Sequence, residues 1–178
     1  RELEVAARLA PEDSSLLLQM ASLKFALGDA AGAMADIEQS GAALPGSGTA
    51  WTEAAVNRWR ALVALQQGDP KAALQAALDL IRNGESDAAI RAVAAQANFE
   101  LNRFERAAEH YRRAVEADPA SPDLRSGLAL SLWELGDYQG ARSTARGAAA
   151  RGAAADDLTY IDILCDAKTG NDPIALLA

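Results

Sequence analysis

The chain has 178 residues; half are hydrophobic, 24% are charged, and the formal net charge is -8. That acidity excludes the basic stripe on which nucleic-acid affinity depends, and it disfavours an anionic membrane surface. No apolar run approaches the ~20 residues of a membrane span, and the single cysteine, Cys165, forbids an internal disulfide.

Helix breakers and caps predict helices over 13–27, 30–43, 50–67, 70–83, 87–101, 104–117, 122–135, 138–151 and 156–169. Residues 1–11 read as the second helix of a preceding pair, with Pro11 as its stop. Residues 14–47 hold the first complete pair. It turns at Gly28, is capped by Asp29 and stops at Pro45. An insertion, 48–53, follows the loop cluster Gly46-Ser47-Gly48-Thr49 and contains Trp51. It is expected either to lengthen the loop or to add a turn to the next helix. Residues 54–87 turn at Gly68-Asp69-Pro70, with Pro70 at the first helical position, where its missing N–H costs nothing. Residues 88–121 turn at Asn102 and stop at Pro119; Arg103 offers no side-chain cap. Residues 122–155 turn at Gly136-Asp137. Their second helix contains Gly147 and Gly152, each costing about 1 kcal/mol against alanine, so it should fray or end early. Residues 156–178 form a partial pair turning at Gly170-Asn171.

One alanine register runs through these elements. Ala33, Ala73, Ala107, Ala141 and Ala175 recur at intervals of 40, 34, 34 and 34 residues. Ala21, Ala61, Ala95 and Ala129 mark the eighth position of successive units. Small residues at fixed points let two helices approach closely. A fixed period of this length means one helix-pair unit stacked repeatedly, each contacting its neighbours. The whole chain, 1–178, is therefore expected to be a single repeat array. Because a unit is cut at each end, it is also expected to be a segment of a longer one.

The segment Ala107-Ala108-Glu109-His110-Tyr111-Arg112-Arg113-Ala114-Val115-Glu116-Ala117-Asp118-Pro119, with Leu128-Ala129 and Leu135-Gly136-Asp137-Tyr138, resembles the tetratricopeptide repeat (TPR) family. The resemblance implies an all-α solenoid: antiparallel helix pairs stacked into a right-handed superhelix. The family's tryptophan at position 4 is absent, and its tyrosine at position 11 is replaced by Lys24, Ala64, Asn98, Leu132 and Asp166. Glu85 and Ala153 stand where proline is usual, so local stability is expected to be modest.

Catalytic chemistry is sparse. One histidine, His110, precludes a His-rich metal site, and the glycines follow the repeat rather than clustering into a phosphate loop. The family register puts His110 on a second helix, facing solvent; Cys165 is expected to be a buried, inert thiol. Neither an enzyme activity nor a cofactor is expected.

The resemblance also implies a concave groove lined by first helices. Its candidate partner-binding residues here are Phe25, Arg58, Leu62, Leu65, Gln96, Phe99, Leu130, Trp133 and Glu134. Arg58 is a candidate anchor for a carboxylate. The aromatic stripe could equally pack between successive first helices, since apolar residues at helical spacing are commonly core. The carboxylate clamp of chaperone-binding relatives is missing: Leu18, Ser22, Trp59, Ala89 and Val93 occupy its positions. The expected partner is a protein or peptide, with no nucleic acid and no membrane insertion. The expected role is an interaction scaffold, possible in a bacterial secretion, pilus or exopolysaccharide-export assembly. Alternatives are an adaptor region attached to an enzyme such as a glycosyltransferase, and self-association through the repeat ends. Bacterial periplasm and cytoplasm are both compatible with the sequence.

Overall fold

The computed structural model describes residues 13–42, 53–149, 161, 163–166 and 168. The described elements are α1 (Ser14–Ala26), α2 (Ala30–Ala42), α3 (Glu53–Gln66), α4 (Pro70–Arg82), α5 (Ala88–Glu100), α6 (Phe104–Ala117), α7 (Pro122–Glu134) and α8 (Tyr138–Ala149). Residues 161, 163–166 and 168 are also helical. Every predicted helix that lies wholly within the described residues appears within a residue or two of its expected bounds. Residues 48–52 of the insertion, including Trp51, and residues 1–11 lie outside the described residues, as does the expected early end of the helix beyond Ala149; Glu53, the last residue of the insertion, opens α3.

The turn inside each pair does two jobs with three residues. At the first, Gly28 takes φ +82°, and its N–H donates to Phe25 O while the Asp29 N–H donates to Lys24 O. Those bonds close the end of α1 in a Schellman motif. The Asp29 carboxylate then accepts from the Gly32 N–H at 2.8 Å and starts α2. The same fused stop and start recurs at Gly68-Asp69 and Gly136-Asp137. Asn102 stands in for glycine at φ +57°, and Arg103 supplies no side-chain cap, as expected. Beyond α4, Gly84 at φ +88° ends the helix one residue before Glu85, which stands where the next unit has Pro119.

Helices pack in sequence within each of two compact units, Arg1–Glu85 and Ser86–Ala178. In the first, α1 packs on α2, α2 on α3, and α3 on α4. In the second, α5 packs on α6, α6 on α7, and α7 on α8; α5 also meets α7. The register alanines sit at these contacts: Ala21, Ala33, Ala61, Ala73, Ala95, Ala107, Ala129 and Ala141 are all 0% exposed. Around them lie Leu18, Ile37, Val56 and Val63 in the first unit. Ala108, Leu128, Leu132, Ala145, Ile161 and Cys165 do the same in the second. Cys165 is buried, as expected.

Two of the positions that lost their tyrosine carry part-buried ion pairs instead. Lys24 on α1 meets Asp36 on α2 at 2.7 Å. Asp166 meets Arg142 of α8. Asn98, 1% exposed, donates to the Ala94 carbonyl one turn back. The α6–α7 contact uses a different device. The Tyr111 ring lies against α7 at Gly127, where a Cβ would overlap its Cζ and Cε1. Burial, and then the Glu100 charge, push the Tyr111 phenol up to about 12.

This contact predicts an inverted glycine effect. Gly127→Ala should destabilise by about 1–3 kcal/mol through overpacking, although the same change on a free helix face gains ~1 kcal/mol. Urea unfolding should show most of that loss recovered in Gly127→Ala/Tyr111→Leu, giving a coupling a sum of single changes lacks.

Candidate partner-binding face

The side chains that each first helix leaves uncovered follow from its register. At ~100° per residue, Ala89, Ala92, Gln96, Phe99 and Glu100 fall within about 100° of the α5 circumference. None of the five is buried, whereas Ile90, Val93, Ala94, Ala95, Ala97 and Asn98 are. On α7 the equivalent arc holds Asp123, Ser126, Leu130, Trp133 and Glu134, none of them buried. The opposite side of α7 buries Leu124, Leu128, Ala129, Ser131 and Leu132. Two consecutive first helices of one unit thus present the same uncovered stripe.

Within that stripe the aromatics are half-buried. Phe99 rests edge-to-face on Phe104, the first residue of its own second helix, with centroids 5.3 Å apart. Trp133 sits against Tyr138, at the same place in the next pair, at 6.5 Å. Leu130 and Trp133 also back onto the core of the second unit. Gln96 is exposed and donates to Glu100 at 3.1 Å; Glu134 is exposed. Sequence reasoning missed the partners Phe104 and Tyr138. The signal was present, since a large aromatic five residues after another across a helix stop places the two at one hairpin corner.

The first unit is arranged differently. Its second helix begins with Ala30, too small to support Phe25, which instead meets Trp59 of α3 edge-on at 5.8 Å. Arg58, Leu62 and Leu65 on α3 are half-buried. The Arg58 guanidinium lies 3.8 Å from the Glu85 carboxylate, a loose surface pair. An open cleft of about 360 Å³ separates α2, α3 and α4, lined by Met34, Asn57, Arg60, Gln75 and Asp79. Its polar groups bond one another: Arg60 to Asn57, and Gln75 to Asp79. Among the described residues, no group of three or more His, Cys, Asp or Glu could hold a metal ion. No described helix is long and apolar enough to cross a membrane.

A family model for the tetratricopeptide repeat matches residues 60–122 and 93–157, more than half the chain. The chain belongs to the tetratricopeptide repeat family. Its fold is similar to that of YrrB, a TPR protein with an unusual peptide-binding site: TM-score 0.76 at 17% identity, over 99% of this chain and 88% of that one. MamA from Desulfovibrio magneticus RS-1 gives 0.72 at 19%, over 84% and 81%. The thermophilic TPR protein TTC0263 of Thermus thermophilus gives 0.68 at 18%, over 88% and 83%. No curated protein matches by sequence. The fold class is thus the all-α solenoid of antiparallel helix pairs that the repeat period implied.

One expectation from the TPR register is corrected. His110 is half-buried rather than solvated, because its side of α6 turns toward α5, where Arg91 lies. Its Nδ1 and the Arg91 Nη1 are buried without a hydrogen-bond partner. Desolvation holds the His110 pKa below its ordinary value; Glu109 opposes this, while Arg91, Arg113 and Arg106 add to it. A lowered folded-state value means stability that is present above pH ~6.5 and lost as pH falls through that value. Tyr111 has the opposite sense: its raised value gives stability present below pH ~10 and lost toward 12. Urea midpoints for the wild-type chain should therefore fall between pH ~7 and ~5.5, and again above pH ~10. His110→Gln should flatten the acid limb alone and Tyr111→Phe the alkaline limb alone.

Proposed function

We propose that this chain is a non-catalytic protein-interaction scaffold whose first-helix face receives a partner polypeptide. The observation that carries the reading is the repeated uncovered stripe on α5 and α7: Gln96, Phe99 and Glu100, then Leu130, Trp133 and Glu134. Half-exposed aromatic and aliphatic side chains in a row offer an apolar partner more than solvent does. Phe25, Arg58, Leu62 and Leu65 form the corresponding candidate face of the first unit. Membership of the TPR family supports the reading, as does the likeness in fold to YrrB, itself described by its peptide-binding site. The sole histidine, His110, lies on α6 outside the stripe, so no nucleophile–base pairing is at hand there. The setting proposed is a bacterial assembly, in secretion, pilus formation or exopolysaccharide export. Alanine-rich, divergent repeats and fold relatives from Desulfovibrio and Thermus support a bacterial origin.

Affinity capture from a lysate of the source organism tests the face. The baits are the wild-type chain, Phe99→Ala/Trp133→Ala and Gln96→Arg/Leu130→Glu, matched for helicity by circular dichroism. The expected result is a partner held by the first bait and reduced at least ~10-fold on both others, since a loss of about 1.4 kcal/mol is enough for that. Equal capture by all three would place binding elsewhere.

A further inference from the structure

The charge on the uncovered stripe of α5 and α7 has one sign. Glu100, Asp123 and Glu134 are exposed on it. The arginines of the same helices, Arg91 and Arg125, stand about 130° from the middle of it. Among the described residues, Asp123 and Glu134 take part in no ion pair, and Glu100 accepts only from Gln96. The acidic run ends at Lys168, which holds the equivalent register in the following helical segment.

Placement within the helices sharpens this. Glu100 and Glu134 are the last residues of α5 and α7, and neither last turn contains a basic residue. A carboxylate at a helix C-terminus adds to the negative end of the macrodipole and is unfavourable there. The same unfavourable choice is made twice at the same register. Each glutamate directly follows a half-buried aromatic, Phe99 or Trp133. A cation arriving at either place meets a carboxylate and an aromatic ring together. In the first unit the equivalent residues are Ala26 and Gln66, so the feature belongs to the second unit.

Resting on the interaction reading above, we propose that the unit of residues 86–178 takes an extended polypeptide segment with two basic side chains three residues apart. One is seated at Glu100 and the other at Glu134, with apolar side chains between them on Leu130 and Trp133. The spacing follows from geometry. Adjacent packed helices are ~10 Å apart, which an extended chain covers in about three residues at ~3.3 Å each. The basic pair supplies the missing countercharge, and the apolar residues cover the rings.

The test is selection from a random peptide library displayed on phage, with the whole 178-residue chain as target. The sequences enriched should carry Lys or Arg at i and i+3 with aliphatic or aromatic residues between. A synthetic peptide of that consensus should bind Glu100→Gln/Glu134→Gln about tenfold more weakly, as expected for two exposed charge pairs of ~0.5–1 kcal/mol each. Those substitutions preserve size and remove an unfavourable charge, so the variant folds. Binders lost with Phe99→Ala/Trp133→Ala but enriched in Asp or Glu, or indifferent to the glutamine changes, would keep the face and overturn the basic occupant. A library yielding no binder to the wild-type chain would overturn both readings.

Discussion

Close approach of helix backbones at alanine is the constraint on which the rest of this structure depends. Eight alanines at two repeat positions are fully buried, four on first helices and four on second helices. A larger side chain at any of them would force the axes apart by more than the packed interior tolerates. Little apolar bulk is gained there, so stability rests on many small contacts between neighbours rather than on one large core. The larger side chains are released from that inner seam. Some, such as Ile37 and Leu80, fill the flanks; others, such as Phe99 and Trp133, are carried toward the surface.

Much of the fold was legible because period and punctuation are local. Glycine followed by aspartate marks both a helix stop and the next start, and Asn102 alone marks the stop before the helix expected over 104–117, found as Phe104–Ala117. What was not legible depends on which side chains meet across a contact, which a repeat period does not encode. The family pattern puts His110 on a solvated face, whereas here it is half-buried and feels the charge of Arg91 on α5. Replacing the usual tyrosine by Lys24 and by Asp166 left no hint that each would find an oppositely charged partner on a neighbouring helix.

The candidate face was legible to a similar degree. Its residues could be named from the register, but not their degree of cover. Sequence posed groove and core as alternatives for the aromatics. In the structure Phe99 and Trp133 each rest on the first residue of the second helix of their own pair and stay half-buried, Trp133 also backing onto the core of the second unit. Such a ring is held in place before any partner arrives, and that lowers the entropic cost of binding. The neighbouring carboxylates then bias which chains can approach, because sign complementarity governs encounter and rejection more than it governs raw affinity.

The account stands most directly on where a bound partner touches the chain. Site-specific photocrosslinking reads this without altering the packed aromatics. A benzoylphenylalanine is placed singly at Gln96 and Leu130, on the first-helix stripe, and at Glu109 and Arg113, on the exposed side of α6. Irradiation in lysate of the source organism is predicted to give one covalent adduct shared by positions 96 and 130 and absent at 109 and 113. Adducts confined to 109 and 113 would contradict it and move the binding surface to the second helices.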